Sequence, residues 1–332
     1  VNLNQQLSAI AEQCRALSYG MDFKFLMNHQ RHLLSIGYRM EDESLDQSCY
    51  DLLASEAALT SFLAIAKSDI EEKHWVRLGR PVVAVERAAC LVSWSGSMFE
   101  YLMPLLVMHS PDATLSHQTM RLAVRKQIAH GAARGTPWGI SESAYAARDR
   151  NFTYQYSNFG VPGLGLKRGL GDNHVIAPYA TGLASMIAPR EAAENYRQLE
   201  SIGGAGRFGF YEAIDFTKRR VPDSQDAVVI GAFMAHHQGM SLVALDNADL
   251  ERHVPHAQPR VAEAVFVVGG PPQPAAEKPE QLLPRVVQRG AMDHAQFVVP
   301  RLDVHQVVKA VEQRLHAGLA TDPFKRGRGG GS

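Results

Sequence analysis

The chain has 332 residues, 45% of them hydrophobic and 20% charged, a composition that supports one large or two smaller globular domains with a sizeable core. Lys plus Arg and Asp plus Glu both number 34, so the formal charge of zero offers no electrostatic footprint for a nucleic acid. Cys14, Cys49 and Cys90 lie far apart with no CxxC pair, and no run approaches about 20 apolar residues. A disulfide framework, a thiolate metal site and a transmembrane helix are therefore not expected, and nothing at the start reads as a signal peptide.

In chain order, residues 3–18 carry Leu3, Leu7, Ile10, Cys14 and Leu17 at helical spacing. Residues 23–40 switch to a short hairpin pattern around Asn28-His-Gln30. Leu52 to Ala66, rich in Ala and Leu and free of Gly and Pro, predicts a helix. Residues 79–97 read as irregular. Ala113 to Ala133 predicts a helix stopped near Gly135-Thr-Pro137, and residues 136–172 a long ordered loop. Pro189 opens a helix that ends at Gly203-Gly204. Phe208, Phe210, Ile214 and Phe216 alternate as in a strand. A helix is then expected from Asp223 or Ser224 to about Leu245, with Val229, Phe233, His236, Met240 and Val243 as its packing stripe.

The texture changes near Leu250. Residues 1–250 read as one organised unit, 251–285 as a linker containing Gly269-Gly-Pro-Pro-Gln-Pro274, and 286–332 as an appendage with a helix over 303–317 and a Gly/Arg tail. The fold class is mainly α, and paired helices with loops gathered on one face suggest an α/α toroid with short β-hairpins in the loops.

Several motifs imitate chemistry without meeting its requirements. Gly163-Leu-Gly165-Leu-Lys-Arg-Gly169 has the wrong spacing for a dinucleotide fingerprint and follows no clear strand. Gly139-Ile-Ser141-Glu-Ser143 lacks the final glycine of a nucleophile elbow. His236 and His237 are adjacent, so their side chains diverge by about 100° on a helix, and no metal site is expected.

What remains is Glu56, Glu100, Glu142 and Glu212, each set among aromatic and small residues, beside Trp94, Trp138, Tyr154 and Tyr156. A glutamate in such company is costly to bury unless it is hydrogen-bonded or faces a wet cleft. One reading makes each a satisfied core carboxylate and each ring a core aromatic. The other is a carbohydrate cleft, in which rings stack on sugar faces and two carboxyl groups supply acid and nucleophile or base. His236, His237 and Gln238 follow two buried-looking turns. At least one His and Gln238 are expected to face that cleft and bond sugar hydroxyls, with Glu212 accepting from a hydroxyl or orienting a His. The alternative makes His236 a core histidine.

The segments Leu34-Ser-Ile-Gly-Tyr38, Tyr50-Asp-Leu-Leu-Ala-Ser-Glu56-Ala57, Leu91 to Pro104, Pro137 to Tyr145, Tyr154 to Arg168, Gly209 to Asp215 and Met234 to Met240 occur in one order. Over residues 20–250 the chain resembles the glycoamylase-like domain of bacterial cyclic β-1,2-glucan synthases. That resemblance implies an (α/α)6 barrel, here incomplete at its N-terminus, and a place within a very large inner-membrane protein, on its cytoplasmic side, beside glycosyltransferase and phosphorylase-like domains. It implies a transglycosylase that closes linear β-1,2-glucan into a ring with retention and without a cofactor, with Glu142 as nucleophile and Glu56 as acid/base. An endo-β-1,2-glucanase and a non-catalytic glycan-binding fragment are the alternatives. Residues after about Val261 do not resemble the family.

Overall fold

The computed structural model describes residues 3–111 and 114–253. The expected helix over 303–317, the tail and all but the first three residues of the expected linker lie outside the described residues. Eight α-helices form among the described residues: α1 Leu3–Gly20, α2 Ala58–Ala66, α3 Lys73–Arg77, α4 Met98–Leu102, α5 Leu115–Arg134, α6 Pro178–Ala184, α7 Pro189–Ser201 and α8 Ala235–His253. Between them run thirteen short strands, paired as β1 Met27–Asn28 with β2 Leu33–Leu34, β3 Tyr38–Arg39 with β4 Ser44–Leu45, β5 Val82–Val85 with β6 Ala88–Leu91, β7 Ser143–Arg148 with β8 Tyr154–Ser157, and β10 Ala205–Gly206 with β11 Gly209–Phe210. A three-stranded sheet places β12 Ala213–Asp215 between β13 Val228–Ile230 and β9 Val175–Ile176, all antiparallel. The described helices do not by themselves close the expected ring.

The centre of the core is α6. All seven of its residues are buried, and α8, α7 and α4 pack around it. Its small residues Ala180, Gly182 and Ala184 let neighbours approach closely. A Cβ on Gly182 would stand 2.9 Å from the Tyr196 hydroxyl and 3.1 Å from the Ser241 backbone. A helix apolar on every side has no amphipathic period, so it was not legible among the loops. By contrast α1 has the expected stripe, yet Leu3, Leu7, Ile10 and Leu17 are all exposed.

Four sequence expectations change. The helix expected from Leu52 begins only at Ala58, because Leu52 bridges Gly79 and the Leu53 N–H donates to the Gly79 carbonyl at 2.9 Å. Glu56 therefore sits in the turn before α2 and not inside a helix. Residues 79–97 are not simply irregular, since β5 and β6 form a hairpin closed by Glu86 and Arg87, at φ 55° and 91°. Such a left-handed pair usually advertises itself through Gly or Asn, and this one does not. Residues 136–172 contain the β7–β8 hairpin. The helix expected from Ser224 is replaced by β13 as far as Ile230, since β12 offers a free edge on which Val228, Val229 and Ile230 pair, and α8 starts at Ala235.

α5 and α7 lie close to expectation. Thr114 caps α5 through a bond from the His117 N–H, and Gly135 ends it at φ 66°, the left-handed conformation that glycine takes most readily.

Candidate active site

Glu142 stands at the end of the segment 136–142, which links α5 to β7. That segment is held by side chains that imitate a neighbouring strand. Asn195 on α7 accepts from the Trp138 N–H at 3.0 Å and donates to the Trp138 carbonyl at 2.8 Å. Gln127 on α5 does the same for Ile140, accepting from its N–H at 2.8 Å and donating to its carbonyl at 2.7 Å. Gly139 between them adopts φ 116°, a region closed to most side chains, and its carbonyl accepts from the Ala177 N–H. Tyr179 on α6 then donates to the carbonyl of Glu142 at 3.0 Å and is 2.7 Å from the Ser141 hydroxyl. Sequence reading missed Gln127, Asn195 and Tyr179, whose contacts span 13 to 57 positions.

The next segment is held from the other side. Glu212 accepts from the Ala144 N–H at 3.2 Å, and Asp215 accepts from the Ala146 N–H at 3.0 Å. Arg220 grips both oxygens of Asp215, at 2.6 and 3.1 Å. Burial works to raise the Asp215 pKa, but the bonds from Arg220 and Thr217 outweigh it and leave the carboxyl below its ordinary value.

From Glu142 a row of polar groups leads inward. The Tyr156 hydroxyl donates to Glu142 Oε1 at 2.7 Å and lies 3.4 Å from His237 Nε2. His237 Nδ1 faces Glu212 Oε2 at 2.9 Å. His237 is 1% and Glu212 2% exposed, and the imidazole stacks on Tyr179 with ring centres 3.7 Å apart. His236 is the exposed member of the pair, which corrects the expectation that it shares the packing side. With α8 beginning at Ala235, the buried positions are His237, Ser241 and Ala244, and Phe233 lies before the helix. Gln238 donates to the Phe210 carbonyl at 3.3 Å.

Glu56 is half-buried, and the Ser55 hydroxyl donates to it at 3.1 Å. Its pKa is raised, first by burial and then by the negative charges of Glu100 and Glu142. Tyr50 is raised by burial and by Glu56 and Glu142. Tyr50, Glu56 and Glu142 thus lie within electrostatic reach of one another. Burial and the bond to Glu142 raise the Tyr156 phenol as well.

Two further residues expected at the substrate are largely buried. Glu100 accepts from the hydroxyls of Ser93, Ser95 and Ser97 and the N–H groups of Ser95 and Ser97, at 2.7 to 3.2 Å, and completes the capping box of α4. These bonds answer the desolvation cost of the carboxyl group, and all but one of them fall on Oε2. Trp138 is 7% exposed and packed in the core, so its ring offers no face to a ligand. Trp94 is 58% exposed and Tyr156 42%. Tyr154 lies against Arg148, whose guanidinium sits 4.3 Å above its ring. The loop carrying Trp94 is pinned by Gly160 and Gly165, where a Cβ would collide with the Ser95 backbone. Among the described residues no group of three His, Cys, Asp or Glu is placed to hold a metal.

The arrangement combines one carboxyl group that retains its proton to higher pH with a second carboxylate held by a tyrosine hydroxyl, the equipment of acid-assisted substitution. A curated relative, cyclic beta-(1,2)-glucan synthase NdvB of Rhizobium meliloti (strain 1021), is 51% identical over 269 residues, covering 80% of this chain and 10% of that protein. Endo-beta-1,2-glucanase from Chitinophaga pinensis, solved with sophorotriose and glucose, superposes with a TM-score of 0.54 at 16% identity, over 75% of this chain and 61% of that one. A glucoamylase-type protein from Bacteroides uniformis ATCC 8492 gives 0.51 at 15%, over 71% and 57%. At such identities these two likenesses speak for the fold alone, that of (α/α)6 barrels. The Glycoamylase family, described as "Putative glucoamylase", matches residues 48–252, more than half of the chain, and the chain belongs to that family.

Proposed function

We propose that this chain is a transglycosylating domain that acts on linear β-1,2-glucan and closes it into a ring, as part of a longer synthase at the cytoplasmic face of a bacterial inner membrane. The observation that carries the reading is the unlike pair of carboxyl groups, Glu56 with its raised pKa and Glu142 held by Tyr156. The 51% identity to a protein named for cyclic β-1,2-glucan synthesis supports the substrate class. Among the described residues no helix is long and apolar enough to cross a membrane.

In this mechanism Glu142 attacks the anomeric carbon while the glycosidic C–O bond breaks and Glu56 gives its proton to the leaving oxygen. A glycosyl ester on Glu142 results. A hydroxyl at the non-reducing end of the same glucan then attacks that carbon and gives its proton to Glu56, and the ester bond to Glu142 breaks. Holding that chain end beside the ester supplies the effective concentration that favours ring closure over water. Trp94 and Tyr156, the exposed rings, serve as sugar platforms, with His236 and Gln238 bonding hydroxyls.

The test is incubation with linear β-1,2-glucan and mass analysis. Products one water lighter than linear chains are expected. Linear oligosaccharides would assign hydrolysis instead, and binding without turnover a scaffold. Glu56→Gln and Glu142→Gln should each abolish turnover with the melting temperature nearly unchanged. A near-normal rate in either variant would overturn the assignment.

A further inference from the structure

With a neutral His237 ring, the row Glu142–Tyr156–His237–Glu212 has two hydrogens for three contacts, and the shortage assigns it a role. Tyr156 has one hydroxyl hydrogen and two acceptors in reach, Glu142 Oε1 at 2.7 Å and His237 Nε2 at 3.4 Å. The short contact holds the hydrogen. Glu212 accepts the Ala144 N–H with Oε1, and its Oε2 faces His237 Nδ1 at 2.9 Å, so the ring hydrogen belongs on Nδ1. The remaining nitrogen, Nε2, is buried. With the ring neutral, that nitrogen carries a lone pair, and it faces the tyrosine oxygen 3.4 Å away. Stacking on Tyr179 fixes the ring plane, so this lone pair stays aimed at the tyrosine oxygen.

We infer that the Tyr156 hydroxyl is a two-position switch, donating to Glu142 when that group is a carboxylate and turning to His237 Nε2 when it is not, with His237 and Glu212 as the positioning residues that keep the second position open. The inference rests on the reading of Glu142 as nucleophile. When Glu142 becomes a glycosyl ester it loses its charge and becomes a poor acceptor. The Tyr156 hydrogen then rotates about its own C–O bond to Nε2, and no bond to hydrogen is broken. When the ester is cleaved the carboxylate returns and the hydrogen swings back to stabilise it. The pair Glu212–His237 thus acts on the hydroxyl and not on the sugar.

The experiment uses protein labelled with ¹⁵N-histidine, with the His237 signals identified by their loss in His237→Gln. In the resting protein near neutral pH, Nδ1 is expected to be protonated and Nε2 to resonate as a bare nitrogen. Glu142→Ala removes the first acceptor and should move Nε2 toward the position of a hydrogen-bonded acceptor. Adding Tyr156→Phe should abolish that movement. A protonated Nε2 at rest, or an Nε2 indifferent to Glu142→Ala in a protein whose spectrum is otherwise intact, would overturn the switch. In turnover of linear β-1,2-glucan, Tyr156→Phe should lower kcat about ten- to a hundredfold with little change in KM. His237→Gln, whose amide can still accept from Tyr156 and donate to Glu212, should retain most of the rate that His237→Leu loses. Equal rates for these two variants would refute the positioning role. The spectroscopic arms need no turnover, so failure of the switch is separable from failure of Glu142 as nucleophile.

Discussion

Asn195→Asp changes one terminal group and tests how the segment 136–142 is held. Asn195 is fully buried, and its amide donates to both the Trp138 carbonyl and the Thr181 hydroxyl at 2.8 Å, while its oxygen accepts from the Trp138 N–H. Aspartate keeps the acceptor. It replaces both donated bonds by an oxygen, which the Thr181 hydroxyl can turn to meet but the Trp138 carbonyl cannot. An unsatisfied buried carbonyl costs about 1–3 kcal/mol, and a buried carboxylate with no cation adds several more. A loss of about 4 kcal/mol or more at neutral pH follows, against a typical domain stability of roughly 5–15 kcal/mol. At about 2–4 °C per kcal/mol for a domain of this size, the melting temperature should fall by roughly 8–16 °C. The sign of the pH dependence is the sharper test. Burial raises the folded-state pKa of the new carboxyl, and its protonated form restores a donor to the Trp138 carbonyl. The deficit relative to wild type should therefore be smallest below the unfolded value of about 3.9 and grow as pH rises through the folded value. Calorimetry of both proteins between pH 4 and 8 measures it. A deficit independent of pH, or a change of only a degree or two at pH 7.5, would refute the account of Asn195 as a substitute strand partner.

Two other outcomes follow from the charge arrangement. His174 has its pKa pushed down to about 4, chiefly by burial and then by Arg134. The unfolded chain binds that proton more readily, so this contribution to stability is complete above about pH 6.5 and is lost as pH falls toward 4. Denaturant titrations should show that slope in wild type and its reduction in His174→Gln. Glu100→Gln removes a negative charge that helps hold the Glu56 pKa up. The alkaline limb of kcat/KM should move to lower pH, and an unmoved limb would show that Glu56 is not the acid or does not feel Glu100.

The sequence by itself determined whatever depends on residue identity and short range. The ordered motifs give the family, the embedded glutamates give the candidate chemistry, and α5 and α7 announce themselves through caps and breakers such as Thr114, Gly135 and Pro189. The tertiary structure decided how far each carboxylate is engaged in internal hydrogen bonds. Glu100 and Glu56 look alike as letters, but three serines occupy the first, while Gly79 unwinds the start of the helix around the second. It also chose His237 over His236, because the chain up to Ile230 was drawn into a strand by β12 and the helix that follows packs on α6 with positions 237, 241 and 244 inward. Gln127, Asn195, Tyr179 and Arg220 carry no local signature, since each acts through bonds whose partners are set by packing. A single buried amide can replace a strand neighbour, and nothing in the residues beside it records that it does.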